Sequence, residues 1–128
     1  MSTYNYMPGL NHVGSYQVSG IPYVTSSLTV PNSSSTALEI SFPKITREYT
    51  VRNDGTQDIK IAYSENGLAG SNFFVLDPGQ SFSTPVRVTE IYLLSSDGST
   101  GSATVTAVLT GIDRNLLPNN WSGSVGVG

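Results

Sequence analysis

The sequence predicts an all-β protein, an eight-stranded antiparallel β-sandwich with the topology of a single jelly roll. Apolar residues recur at every second position in short runs, and Gly, Pro, Asn, Asp and Ser separate these runs about every ten residues. No segment keeps the i, i+3, i+4, i+7 apolar spacing long enough to indicate a helix. With 128 residues, the chain has the size of one domain.

The eight strands follow from this alternation. In the last of them, Ala103, Val105, Ala107 and Leu109 point to one face and the intervening residues to the other, so the strand has one core face. Eight strands fit a jelly roll better than a seven-strand immunoglobulin-type sandwich, whose Cys pair this Cys-free chain lacks. In chain order the predicted strands are 22–30, 36–42, 48–53, 58–64, 72–76, 80–86, 90–95 and 101–109.

Turns are predicted at "NDGTQD" (53–58), "DPGQ" (77–80) and "SDGSTG" (96–101), because Gly tolerates positive φ and Pro fixes its own φ. The stretch "ENGLAGSN" (65–72) is interpreted as a flexible connection between strands. Around the Asp77-Pro78-Gly79 turn, the side chains expected to reach the core are Phe73, Phe74, Val75, Leu76 and Phe82.

The two ends of the chain have an unusual composition. All fifteen Asp, Glu, Lys and Arg residues lie between Glu39 and Arg114, and the ends hold four of the seven Tyr and the only Trp. Uncharged aromatics suit the buried centre of an interface, which predicts an N-terminal arm (1–20), a sandwich (21–112) and a C-terminal arm (113–128). The alternative is that the ends fold back on their own domain or are flexible tails. The candidate interface residues are Tyr4, Tyr6, His12, Tyr16, Tyr23 and Trp121.

The residues that catalysis or metal binding would need are scarce. Without Cys, and with His12 as the single histidine in a predicted arm, neither thiol nor Ser-His-Asp catalysis has a preorganised base. Transition metals need several His or Cys ligands. Calcium stays open, because Asp54, Asp58 and Asp97 lie in turns, although the D-x-D-x-D-G series is lacking. We therefore predict no enzyme activity, no cofactor and no metal.

The charge distribution also bears on partners. The net charge is −3, only 12% of residues are charged, and the six Lys and Arg are scattered, so no basic patch for nucleic acid is expected. No apolar run approaches the roughly 20 residues of a membrane helix, and the N-terminus lacks a secretory pattern. We expect a protein made in the host cytoplasm that contacts neither nucleic acid nor membrane.

Residues 45–112 carry a resemblance. An "x-V-x-N-x-G-x-x-D-I" hairpin (50–59) is followed by "F-x-L-x-P-G-x-S" (74–81), "P-V-x-V-x-x-I-Y-L-x-S" (85–95) and a closing strand with Val105, Ala107 and Leu109. This pattern resembles small single-jelly-roll virion proteins, namely penton or minor capsid proteins of large double-stranded DNA viruses and head-decoration proteins of tailed phages. The resemblance implies a structural role in a particle, with no catalytic residues.

Two functions therefore stand side by side. The first is a virion protein, a capsid vertex or cement subunit that forms a pentamer or trimer through its aromatic arms and contacts the major capsid protein. The alternative is a carbohydrate-binding module or receptor-binding fibre tip, with Trp121 and Tyr92 as candidate sugar platforms. An enzyme comes third, and two carboxylates about 5 to 10 Å apart in a cleft would be its signature.

Overall fold

The computed structural model describes residues 20–117 and 120–128, and in them it confirms the all-β sandwich. Two four-stranded antiparallel sheets enclose one hydrophobic core. All eight strands lie where the alternation predicts them, with ends that differ by up to four residues. The strands are β1 (Ile21–Val30), β2 (Leu38–Ser41), β3 (Lys44–Asn53), β4 (Ile59–Ala62), β5 (Phe74–Leu76), β6 (Ser81–Thr84), β7 (Glu90–Ser95) and β8 (Gly101–Asp113).

The strand order is that of a jelly roll. One sheet has the order β1-β8-β3-β6 and the other β2-β7-β4-β5. Each strand of the first half therefore pairs with its counterpart in the second half: β1 with β8, β2 with β7, β3 with β6 and β4 with β5. This nesting results when one long hairpin is wrapped into two sheets, which is the eight-stranded jelly roll.

The core is built from alternate residues of both sheets, as the period of two requires. Tyr49 of β3 is fully buried, and its hydroxyl donates a 2.8 Å hydrogen bond to the hydroxyl of Tyr63. Burial, followed by this hydrogen bond and the charge of Tyr63, raises the pKa of Tyr49. The largest fully buried apolar side chains beside it are Phe42, Ile59, Ile61, Ile91, Leu93, Leu109, Val30, Val51, Val88 and Val105.

The prediction for the residues before the Asp77-Pro78-Gly79 turn is wrong at Val75, and Phe73 is not among the side chains that pack on the core. Leu76 is buried and Phe74 packs on the core, but Val75 between them is 46% exposed. Consecutive strand residues point to opposite faces, so Val75 cannot share the core with its two neighbours. Phe73, which precedes the strand, is half-buried, and the Lys60 ammonium lies 4.7 Å from the centre of its ring.

Two of the predicted turns meet at Asn53. Its side-chain amide donates to the carbonyls of Gln57 and Leu76 at 2.7 and 2.9 Å, and its Oδ1 accepts from the N–H of Gly55. Its backbone carbonyl accepts from Gly79 N–H. Gly79 has φ 78°, a conformation that favours glycine, and Asn53 thereby fixes both turns at one end of the sandwich.

The connection 65–72 is not a plain loop, which corrects the sequence prediction. It contains a short helix, α1 (Glu65–Ala69), whose N-cap Ser64 accepts a 2.9 Å hydrogen bond from Gly67 N–H. A single turn has too few apolar positions to show helical periodicity, so only the Ser-Glu start is a signal. In the part of the chain described, no helix is long and apolar enough to cross a membrane.

The C-terminal boundary also differs from the prediction. Strand β8 continues to Asp113, which is still paired in register with Lys44 of β3, and the Lys44 ammonium lies 2.8 Å from the Asp113 carboxylate. A 3-10 turn follows at Arg114–Leu116. Residues 120–128 then lie against their own sandwich, so for this stretch the structure has the fold-back arrangement and not an arm that extends from the domain.

Candidate functional site

One end of the sandwich, where β1 and β3 begin and β8 ends, carries an open apolar pocket. Its volume is about 430 Å³, within the range of small-ligand or side-chain binding sites. We call it the Trp121 pocket, and we call this end of the molecule the Trp121 end. The residues lining the pocket are Ile45, Arg87, Ile112, Leu116, Leu117 and Trp121.

Trp121 is held in place at the rim of the pocket. Its indole N–H donates a 2.7 Å hydrogen bond to the carbonyl of Arg87, and the Arg87 guanidinium lies 5.6 Å from the centre of the indole ring. Trp121 also has φ 67°, a left-handed conformation that costs a bulky residue free energy. Trp121 nevertheless stays 40% exposed, although its side chain is hydrogen-bonded and its backbone is strained.

Asn120 anchors this arrangement inside the sandwich. Its side chain is buried, and Oδ1 accepts a 2.6 Å hydrogen bond from the N–H of Thr89. Its amide nitrogen donates to the carbonyls of Tyr63 and Glu90, both at 2.8 Å. Asn adopts its φ of 46° more readily than other residues. These bonds connect the segment to both β7 and the chain after β4, and they fix where Trp121 sits.

The last residues of the segment are held by a close contact between backbones. Ser64 Oγ lies 2.9 Å from the carbonyl of Val127 and 3.1 Å from that of Gly128. A Cβ on Gly67 would come within 2.6 Å of the Val127 carbonyl, and one on Gly128 within 2.9 Å of Gly67 N. The approach is therefore possible only because both positions are glycine.

The other lining residues of the pocket are aliphatic and come from β3, β8, the 3-10 turn and Leu117 after it. Ile45 is buried, Ile112 and Leu117 are half-buried, and Leu116 is 73% exposed. Thr110 Oγ1 donates to the carbonyl of Ile45 at 2.8 Å, which ties the two strands of the wall together. An exposed leucine and an exposed tryptophan that line one pocket make an apolar surface open to solvent.

A second cluster, of polar residues, lies on the outer face of the other sheet. Tyr92 of β7 directs its hydroxyl to the Glu39 carboxylate at 3.3 Å, and Arg114 lies 3.5 Å from the Glu90 carboxylate. Burial, followed by the charge of Glu39, raises the pKa of Glu90 above its usual value. Burial, followed by the charges of Glu90 and Glu39, raises the pKa of Tyr92. The cluster can retain a proton at a pH where a solvated carboxyl is ionised.

The predicted interface residues are only partly placed by the structure. Trp121 lies at the pocket, as described. Tyr23 is part of β1, and its half-buried ring meets Phe42 edge-on at 5.1 Å, so it packs on its own core and is not in an arm. Tyr4, Tyr6, His12 and Tyr16 lie outside the described residues.

Sequence reasoning missed most of the pocket. Arg87, Ile45 and Ile112 are separated by tens of residues along the chain, and only the jelly-roll order brings them together. Asn120 was also missed, since an Asn before a Trp carries no signal of burial. The apolar pair Leu116-Leu117, followed by three residues without charge and then Trp121, is the one feature of the sequence that indicates an apolar surface here.

Metal binding has no support from side-chain geometry in the described ranges. No group of three or more His, Cys, Asp or Glu residues there is arranged to hold a metal ion. Asp54, one of the turn carboxylates considered for calcium, accepts from Thr104 Oγ1 and from the Arg52 guanidinium. These two interactions, the Thr104 hydrogen bond first, lower the pKa of Asp54.

Comparison with known proteins adds little to this picture. No protein-family model matches the sequence, and no curated protein is similar to it. Among solved structures, the crystal structure of PirA is similar over 78% of this chain and 99% of that chain, with 10% identity and a TM-score of 0.37. A similarity at this level carries no argument about function.

Proposed function

We propose that this chain is a structural subunit of a virus particle, either one copy of a penton-type vertex ring or a cement (decoration) subunit on the shell. It associates with other copies of itself, as a pentamer or trimer, and contacts the major capsid protein. In this proposal the chain is made in the host cytoplasm, ends in the capsid, needs no cofactor or catalytic residue, and contacts neither nucleic acid nor membrane.

The fold is compatible with this role but does not assign it. Jelly rolls are common in viral capsid proteins, and they also occur in lectin domains and cupins. The sequence resemblance to single-jelly-roll virion proteins covers residues 45–112, which contain strands β3 to β7 and most of β8. Fold and resemblance together favour a shell protein over the other users of the same architecture.

The observation that carries the proposal is the set of exposed apolar side chains at the Trp121 pocket. Trp121 and Leu116 are exposed there, and the first nineteen residues, which contain Tyr4, Tyr6 and Tyr16, join the sandwich at the same end, at β1. Exposed aromatic and aliphatic side chains around a pocket, with few charges, are typical of the centre of a protein interface. A subunit buried among neighbours needs such a surface.

Light scattering on the full chain tests the proposal. We expect a closed pentamer or trimer that dissociates on dilution, visible as a ring by electron microscopy. Replacing Tyr4, Tyr6 and Tyr16 together by Ser should weaken association, whereas replacing the same three residues by Phe should preserve it, because Phe keeps the apolar ring. A chain that stays monomeric at all concentrations and does not bind capsid shells would contradict the proposal.

A carbohydrate-binding module is the second candidate, and the exposed ring of Trp121 beside a pocket is the observation that favours it. Tyr92, the other ring considered for a sugar platform, lines a different cavity with Glu90 and Ser122. The Trp121 pocket has aliphatic walls and a single guanidinium, and it offers sugar hydroxyls few side-chain partners. Quenching or shifting of Trp121 fluorescence by a glycan at millimolar concentration or below would favour this candidate.

A further inference from the structure

The Trp121 pocket is an apolar surface that is open to solvent. Two of the residues that line it are exposed, Leu116 to 73% and Trp121 to 40%. Hydrogen bonds fix the backbone beside each of them, in the 3-10 turn and at Asn120. Exposing large apolar side chains on a rigid support is unfavourable in a free monomer. The geometry therefore suits an occupant that covers both.

Strand β1, which the N-terminal segment (residues 1–19) precedes in the chain, begins at the end of the sandwich that carries this pocket. Ile21 at the start of β1 pairs with Leu109 of β8, and Ile112 of the pocket wall lies three residues further along β8. At about 3.3 Å per residue, Ile112 therefore lies roughly 10 Å along β8 from the level of Ile21, where β1 begins. Nineteen residues can span roughly 60 Å when extended, which is enough to reach the same pocket or that of an adjacent copy.

The composition of the segment fits the pocket. Residues 1–19 contain no Asp, Glu, Lys or Arg, and they hold three Tyr together with Met7, Leu10, Val13 and Val18. The pocket offers aliphatic walls for such side chains. The one charged residue that lines the described pocket is Arg87, whose guanidinium lies over the Trp121 ring. The same guanidinium can make a cation–π contact with a tyrosine ring. No like charge on the segment opposes Arg87.

We propose that the N-terminal segment of one copy docks into the Trp121 pocket of the next copy. The inference rests on the proposed function, because a closed ring needs one surface of each subunit to meet a different surface of its neighbour. In this inference the segment and the pocket are the two surfaces. Each copy then gives one segment and receives one, so the contact repeats around the ring until it closes.

The single Trp of the chain makes this directly measurable in the full-length protein. Docking of an apolar segment removes water from the indole, so the Trp121 emission maximum should shift to shorter wavelength together with the rise in mass as concentration increases. Leu116→Asp places a charge in the exposed wall of the pocket, where folding is little affected. We expect it to raise the concentration at the midpoint of association about tenfold or more.

Val125→Asp is the matched control, because Val125 is fully exposed and does not line the pocket. It should leave both mass and emission unchanged. An emission that is already blue-shifted in a monomer, and that Leu116→Asp shifts back, means that the segment covers its own pocket, and it overturns exchange between copies. If the protein forms an oligomer whose mass and Trp121 emission are the same with and without Leu116→Asp, the inference is also overturned. The proposed self-assembly is not contradicted by that result.

Discussion

Asn120 is the residue on which the geometry of the candidate site depends most. A single side chain uses its oxygen and its amide nitrogen on three backbone groups, those of Thr89, Tyr63 and Glu90, inside the sandwich. These bonds fix the backbone that directly precedes Trp121. A binding surface on a small domain is precise when it is supported in this way from the core.

Replacing Asn120 by Ala should therefore destabilise the protein by about 2 to 3 kcal/mol, because it leaves buried backbone groups without partners. Urea denaturation followed by circular dichroism measures the change. Asn115→Ala, at an exposed position of the 3-10 turn, is the control and should be close to neutral. Equal stability of the two variants would mean that the Asn120 bonds are not maintained in solution.

The raised pKa of the Glu90 carboxyl makes the stability of the folded protein depend on pH. Its pKa is raised in the folded state by burial and by Glu39, so the folded state binds the proton more tightly than the unfolded state does. Stability should therefore fall as pH rises from the usual value of 4.5 through the raised value. At neutral pH the ionised carboxylate lowers stability, and at low pH it does not.

We accordingly expect Glu90→Gln to raise the melting temperature at pH 7, with a difference from the parent chain that disappears as the pH falls below about 4.5. Thermal unfolding between pH 4 and pH 8 measures this. Glu48→Gln, at an exposed position of β3, controls for the general loss of one negative charge. A Glu90→Gln variant that is less stable at pH 7 would show that the Arg114 ion pair outweighs the burial of the carboxylate.

At the level of elements, two turns contain a glycine, and only one of them needs glycine for its backbone conformation. Gly79 in the turn between β5 and β6 has φ 78°, and Gly98 between β7 and β8 is outside the left-handed region. A Cβ at either position would meet no other atom within 4 Å. The two glycines thus separate the effect of backbone conformation from the effect of crowding.

Gly79→Ala should cost about 1 to 2 kcal/mol, because an L-residue is strained in the left-handed conformation. Gly98→Ala should be neutral or slightly stabilising, because it only restricts the unfolded chain. Chemical denaturation of both variants provides the comparison. Equal effects of the two substitutions would mean that the turn at Gly79 relaxes to another conformation.

The whole molecule behaves, in this structure, as one unit that includes its last nine residues. Asn120 binds into the sandwich and Ser64 holds the carbonyls of Val127 and Gly128. The jelly roll pairs β1 with β8, so these strand contacts form only when residues far apart in the sequence come together. Such an arrangement favours a single cooperative transition.

Unfolding monitored by Trp121 fluorescence should therefore coincide with unfolding monitored by strand circular dichroism. Trp121 reports on the C-terminal segment alone, and circular dichroism reports on both sheets. The experiment belongs at concentrations where light scattering gives a monomer, so that dissociation does not contribute. A fluorescence transition at lower denaturant concentration would show that residues 120–128 detach before the sandwich unfolds.

The sequence by itself determined the fold class, the eight strands and most of the turns. Alternation in β8 and β4 and the turn residues at Asp77-Pro78-Gly79 are local signals, because side-chain direction and φ depend on a residue and its neighbours. The limits of local reasoning show at Val75, where a run of apolar residues hid the alternation, and at α1, which is too short to show a helical period.

Only the tertiary structure decided the site. Arg87, Ile45 and Ile112 belong to distant parts of the chain. The pairing of β3 with β8 brings Ile45 near Ile112, and hydrogen bonds from Thr46 to the carbonyls of Val86 and Val88 bring Arg87 to the same pocket. The packing of residues 120–128 on the sandwich likewise depends on contacts with β7 and with Ser64, the N-cap of α1. No local sequence pattern predicts these contacts. Pockets and docked segments are decided by the packing of elements far apart in sequence, and single-sequence periodicity carries no information about that packing.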